Sequence, residues 1–199
     1  GWIWMGTRDG LNLYNGKVFK VYKHEKDNPN SLSYNDIAQI AGDRQGKVYV
    51  MTNGKGISTY DIMHDSFSTL VTGKVSAMHY DKALFFARDS RLYRYENDSA
   101  RLIYQLPDQK VSINRMLRQN DSILIGTYNA GLYLLVEKKK LVHLIPKGRI
   151  NDIFRDSTGD IWVSCHSGEG LYLIRKGEVY NFHTMPDDKT SISSSQVHC

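Results

Sequence analysis

Hydrophobic and polar residues alternate along this chain in short runs, broken by turns rich in glycine, asparagine and aspartate. In GDIWVSCHSGEGLYL (159–173), Ile161, Val163 and Cys165 alternate with Asp160, Trp162 and Ser164, and Leu171, Tyr172 and Leu173 restart the pattern after a Gly-rich turn. A period of two interrupted by such a turn predicts a β-hairpin. The same hairpin stands at 1–14 (GWIWMGTRDGLNLY), 46–60 (GKVYVMTNGKGISTY) and 121–135 (DSILIGTYNAGLYLL), with a worn copy at 82–95 (KALFFARDSRLYRY). Self-similarity of this kind sets the architecture before any single residue is interpreted.

Residues 1–22 predict three strands, Trp2 to Gly6, Leu11 to Tyr14 and Val18 to Tyr22, separated by Asp9-Gly10 and Asn15-Gly16. Both dipeptides favour two-residue hairpin turns. A polar stretch with Pro29 (23–35) is a long loop, Asp36 to Ala41 a further strand, and Asp43 to Gly46 a turn into the next hairpin. Thr7, Thr52, Arg88, Thr127 and Cys165 hold equivalent places at intervals of 45, 36, 39 and 38 residues, and DNPNSLSYNDI (27–37) returns as DDKTSISSSQV (187–197) at an offset of 160. Four short strands in about 40 residues is the size of a β-propeller blade, which limits exposed strand edges by radial repetition.

The expected fold is therefore all-β, a propeller of four-stranded blades with about five present. The units fall at approximately 1–22, 36–70, 75–104, 113–144 and 150–183, with the next beginning at 195–199. The third unit lacks the turn glycine and carries Arg91 there, so its hairpin is expected to bend without a residue at positive φ. Aligning Gly1 with Gly46, and Cys199 with Gln39, leaves the counterparts of residues 40–45 unrepresented. The expectation is a piece of a larger, seven-bladed propeller.

Composition narrows the chemistry. At 41% hydrophobic and 24% charged the chain is globular, and no apolar run approaches the roughly 18 to 20 residues of a membrane span. It reads as soluble, with any targeting segment removed or outside it. The net charge of +5 is spread over every repeat rather than clustered with aromatics on one element, which argues against nucleic-acid binding. Cys165 and Cys199 have no metal-ligand spacing and read as small buried strand residues rather than a disulfide.

The run SLSYNDIAQIAGDRQGKVYVMTNGKGISTYD (31–61), with its echoes at 1–22 and 150–174, resembles the two-component regulator propeller repeat. Ser-Leu-Ser, Asp-x-x-Gly, Ile-Trp and Gly-Leu at fixed offsets carry the resemblance over nearly the whole chain. It implies the periplasmic sensor region of a Bacteroidetes hybrid two-component regulator. In such proteins two propellers precede an immunoglobulin-like domain, a membrane helix and a histidine kinase, and oligosaccharides are the ligands. The worn third repeat and the count of about five blades depart from that pattern.

Candidate chemistry is sparse. Seven histidines (24, 64, 79, 143, 166, 183, 198) show no HxxxH, HxH or CxxC spacing, so structural or solvated roles are expected and no metal or cofactor. No GxSxG elbow marks a hydrolase. The glycines of GKG (54–56) and GEG (168–170) are turn residues, and the sequons at Asn97 and Asn120 read as polar turns. Trp4 and Trp162, with Tyr49 at the same place, recur once per blade as packing residues between blades.

What remains is the set of turns that differ between copies. The turns between second and third strands carry Arg8 with Asp9, Asn53 with Lys55, Arg88 with Asp89 and Arg91, Tyr128 with Asn129, and His166 with Ser167 and Glu169. Variation on a repeated scaffold is where a binding face is expected. Arg8, Lys55, Arg88, Arg91, Tyr128, Asn129, His166 and Glu169 are thus the candidate ligand-binding residues, against the plainer view of a solvated rim. The expectation is a non-enzymatic sensor of an oligosaccharide, acidic or neutral, with partners in its parent chain and a homodimeric parent. The rivals are a propeller lyase or hydrolase, marked by a His and an acid converging on the channel, and a protein-interaction scaffold. For the scaffold, neither a Trp-Asp nor a kelch Gly-Gly signature is present.

Overall fold

The computed structural model describes residues 2–43, 46–166 and 168–197. It is all-β, with one sheet per sequence repeat. The first sheet holds β1 (Ile3–Thr7), β2 (Gly10–Tyr14) and β3 (Phe19–Tyr22), and the second β4 (Ile37–Gly42), β5 (Val48–Thr52), β6 (Gly56–Asp61) and β7 (Ser66–Thr72). The third is β8 (Ala77–Tyr80), β9 (Leu84–Arg88), β10 (Arg91–Glu96) and β11 (Ser99–Gln105). The fourth is β12 (Ile113–Gln119), β13 (Ser122–Thr127), β14 (Leu132–Val136) and β15 (Lys140–Ile145), and the fifth β16 (Ile150–Arg155), β17 (Ile161–Cys165), β18 (Leu171–Arg175) and β19 (Glu178–Phe182). Strands within a sheet follow chain order, and the pairs whose register is defined are antiparallel.

The chain forms two compact units, residues 1–88 with 93–102, and residues 89–92 with 103–199. In the first unit, Leu11, Leu32, Val48, Val50, Tyr60 and Phe67 fill the space between the first and second sheets. Tyr49, Met51, Ile57, Val71, Met78, Leu84 and Phe86 fill the next space. The two faces of β5 therefore feed two separate cores, as strict alternation on a strand covered from both sides requires. In the second unit Leu124, Leu132 and Ile145 meet Ile150, Ile153, Ile161, Val163 and Cys165.

Side-chain amides tie the first strand of one sheet to the backbone beyond it. The Met78 amide donates to Gln39 Oε1 (3.0 Å), and Asn114 Nδ2 donates to the Ile150 carbonyl (2.6 Å). The offset of 160 is reproduced bond for bond in the long loops. His24 N donates to Asn35 Oδ1 and Glu25 N to Ser31 Oγ, at 2.6 and 2.9 Å. Thr184 N donates to Ser195 Oγ and Met185 N to Ser191 Oγ, at 2.8 and 3.0 Å.

Some local expectations change. The first hairpin turns on Arg8-Asp9, with Gly10 already paired to Thr7, and the second is a four-residue loop in which Asn15 Oδ1 accepts from the amides of Lys17 and Val18. The third-unit hairpin does use a positive φ: Asp89 sits at +50°, a region that aspartate tolerates better than most residues. Asn97 and Asn120 also occupy this region, in two-residue turns. Trp4 packs across the sheet gap onto Tyr60 (4.9 Å between centroids), and Tyr49 likewise stacks on Tyr80 (5.1 Å). Trp162 instead bonds Asp156 Oδ2 (2.9 Å) and stacks on Phe182 of its own sheet. Cys165 is a buried thiol whose pKa burial pushes up to about 11, with the Glu169 charge adding to it. The expectations for Gly1, Ser167, His198 and Cys199 fall outside the described residues.

The turn glycines separate two costs. Gly56 has φ +112°, and a Cβ there would stand 1.8 Å from the Val71 carbonyl oxygen, whereas Gly73 at φ +79° has nothing within 4 Å. Gly73→Ala should cost about 1–2 kcal/mol of backbone strain, and Gly56→Ala about 3 kcal/mol or more because the clash adds to it. Urea unfolding of the two variants checks this; equal losses would remove the steric argument.

Candidate functional site

In the first unit, three of the sequence-predicted residues stand at strand ends with different fates. Arg8 and Lys55 are exposed at turn tips, and neighbouring Asp9 is paired with Lys23 Nζ at 2.6 Å. Arg88 is the last residue of β9 and half-buried. Its Nη2 donates to the Thr72 carbonyl (2.6 Å), and its guanidinium lies over the Phe86 ring at 5.8 Å. The Arg88 head group is therefore engaged in holding the end of β7. Arg91 belongs to the second unit, exposed as the first residue of β10.

The second unit draws its candidates together around a residue that the sequence reading did not select. Tyr128 and Asn129 are exposed at the tip of the β13–β14 turn, which Thr127 closes by donating from Oγ1 to the Gly131 carbonyl (2.8 Å). Arg149, in the loop before β16, places its guanidinium 4.5 Å from the Tyr128 ring centroid. That is a cation–π contact. The Arg149 carbonyl accepts from the His166 amide (3.0 Å), so one residue joins the Tyr128 turn to the His166 turn. Glu169, half-buried, folds over Gly148: a Cβ on that glycine would stand 3.1 Å from Glu169 Oε2, and its φ is +95°. Glu169 Oε2 is buried without a hydrogen-bond partner, while the Glu169 carbonyl accepts from Asn181 Nδ2 (2.7 Å). The only signal for Arg149 in the sequence is its position, the residue before the first strand of a unit, held elsewhere by Asp36, Ser76 and Ser112.

At the other end of the first-unit strands, away from the Arg8 and Lys55 turns, the first and second sheets are joined by a polar clasp. Asp65 Oδ1 accepts from the hydroxyls of Tyr22 (2.7 Å) and Tyr60 (2.8 Å), the two hydroxyls lie 2.9 Å apart, and Lys20 Nζ bonds Asp65 Oδ2. The lysine and the two phenols hold the Asp65 carboxyl down at about 2, and burial raises the pKa of Tyr22 and Tyr60. Above the clasp opens a cavity of about 410 Å³, lined by Trp2, Leu13, Lys20, Tyr60, Ile62 and Asp65 among others. A second cavity of about 250 Å³ shares Trp2, Tyr60 and Ile62 with it and extends to Asp43 and Lys47. Among the described residues, no three His, Cys, Asp or Glu side chains are grouped to hold a metal ion.

Comparison with known proteins bears on the fold. The extracellular domain of the hybrid two-component system BT3049 from B. thetaiotaomicron superposes with a TM-score of 0.76 at 20% identity, over 90% of this chain and 28% of that one. The fold is that of a β-propeller segment. The extracellular domain of BT4673 from the same organism gives 0.73 at 16% identity, over 98% of this chain and 28% of its own. Virginiamycin B lyase from Staphylococcus aureus gives 0.74 at 14% identity, over 92% and 66%. This propeller chain spans less than a third of the extracellular domains it matches. No protein-family model and no curated relative matches it.

The clasp should show in acid. A carboxyl held below its ordinary value of 3.8 contributes stability that is fully present above that value and is lost as pH falls through about 2. The parent should therefore lose more thermal stability than Asp65→Asn between pH 4 and pH 2, the two converging at the acid end. Parallel melting curves at half-unit steps read this directly; curves separated by a constant gap would mean that Asp65 is not held by the clasp.

Proposed function

We propose that this chain is a segment of an extracytoplasmic sensor propeller that binds an oligosaccharide without turning it over and signals to a histidine kinase in the same parent protein. The observation that carries the reading is the Tyr128–Arg149 pair. An exposed phenol ring offers a face to the C–H side of a sugar, and a guanidinium laid on that ring offers planar paired donors to a carboxylate or sulfate. His166 and Asn129 flank the pair with further polar groups. An acidic oligosaccharide fits this rim better than a neutral one. The fold shared with extracellular domains of hybrid two-component systems supports the sensor role and a periplasmic location.

In this reading the neighbouring propeller and an immunoglobulin-like domain of the parent are the structural partners, and the parent is a homodimer. Ligand shifts the domain or dimer arrangement by the difference in its affinity for two states, which is the most that any ligand can supply. A second reading, a lyase, has two observations behind it: the fold shared with virginiamycin B lyase, and a histidine and a carboxylate, His166 and Glu169, on one turn. It lacks a described channel onto which the two converge.

Trigalacturonate is a suitable acidic probe. Calorimetric titration of the chain should show binding that Arg149→Gln and Tyr128→Ala each weaken by about tenfold or more, the loss of one charge-assisted contact or one stacking face. Unchanged affinity in both variants would take the site away from this rim. Chromatography of the probe after long incubation should return it intact, and cleaved product would turn the reading to a lyase.

A further inference from the structure

The groove around Trp2 opens above the clasp that joins the first and second sheets, away from the Arg8 and Lys55 turns. Trp2 precedes β1 and is 52% exposed, in contrast to Trp4, which is packed onto Tyr22 and Tyr60. Ile62, on the facing turn, is 48% exposed. Two large, half-exposed apolar side chains thus line a cleft that also holds the polar clasp. Such a cleft, apolar and aromatic on its walls with a few fixed polar groups, is the usual form of a small-ligand site, and its larger part is of ordinary size for one.

We propose that this groove is a carbohydrate subsite for a neutral di- or trisaccharide, separate from the Tyr128–Arg149 rim and not dependent on it. Three features select that ligand class. The two cavities share Trp2, Tyr60 and Ile62, so they adjoin as one extended groove with two aromatic side chains common to both parts, on which sugar rings can stack. The floor is organised before any ligand arrives. The clasp fixes the phenol oxygens and the Asp65 carboxylate against one another, so hydroxyl groups meet acceptors and donors already in place. The charges balance. Among the described lining residues, Lys20 and Asp65 line the larger cavity as a pair, and Lys47 and Asp43 line the smaller one, so they bring no excess of cations to recruit an anion. A wholly apolar ligand would cover the Lys20–Asp65 pair without replacing its water, at a desolvation cost.

The test uses the full chain, with cellotriose, mannotriose and xylotriose as neutral probes and trigalacturonate as the acidic one. At least one neutral trisaccharide should bind by calorimetry and should not be displaced by trigalacturonate. Trp2→Ala, which removes an exposed side chain, should weaken it about tenfold. Ile62→Arg, which fills the groove while leaving the clasp intact, should do the same. Both variants should melt within a few degrees of the parent, and Arg149→Gln should leave neutral-sugar affinity unchanged. The proposal is overturned if none of the three neutral probes binds, or if either groove variant binds them as the parent does. Loss of neutral-sugar binding in Arg149→Gln would also overturn it, by moving the site to the rim.

Discussion

Each sheet of this protein has two apolar faces and cannot cover either by itself, and the rest of the structure depends on that constraint. Val48 and Val50 enter one core while Tyr49 and Met51 enter another, so β5 is buried on both sides. The spacing between sheets is then fixed by what stands where they approach most closely. A Cβ on Gly6 would lie 2.6 Å from Ile37 Cγ2, and one on Gly126 would lie 2.7 Å from Ile150 Cγ2. Both glycines occupy the same place in their repeat, one before the shared threonine, and both receive an isoleucine from the adjoining sheet. Interiors at crystalline density do not absorb a methyl group there without a shift. Repetition of sequence is, in this sense, repetition of one packing distance.

Because the faces are committed to packing, chemistry is left to the strand ends. In the second unit the variable turns meet at Arg149, whose backbone joins two turns and whose side chain meets Tyr128. In the first unit Lys20 and Tyr22 of β3 and Tyr60 of β6 share the carboxylate of Asp65. The two places differ in electrostatic character: one sets a cation on an exposed ring, the other is a network of paired groups.

Sheet number, strand order and the location of most turns were legible in the sequence, since alternation and period follow directly from burial of both faces. The candidate site was legible only in part. Tyr128, Asn129, His166 and Glu169 could be named because they sit in turns that the repeat aligns. The engagement of Arg88 could not be foreseen. Alignment places this residue at a strand end, but only packing reveals that its guanidinium bonds the Thr72 carbonyl. The clasp was invisible because its members, at 20 and 22 on β3, 60 on β6 and 65 in the turn after it, acquire meaning only from the gap between two sheets. The third hairpin was misjudged for a local reason: a glycine is sufficient for a positive φ but not necessary, and Asp89 adopts it.

Arg149 shows how such a scaffold varies a side chain without altering its fold. The residue before the first strand of a unit has a backbone task that recurs. The Asp36 carbonyl accepts from Asn53 N (2.9 Å), the Ser112 carbonyl from Tyr128 N (3.0 Å) and the Arg149 carbonyl from His166 N (3.0 Å). Any residue with a carbonyl performs that task, so the backbone bond places no demand on which side chain stands at this position. The long loops are the opposite case. Ser31 and Ser191 accept the same amide bond at their own offset, and their side chains are held by it. Function on a repeated scaffold should therefore be sought where the repeat preserves a backbone bond and leaves the side chain to vary. By that criterion the position of Arg149 is a stronger candidate than the turn tips themselves, whose residues also have to satisfy the turn.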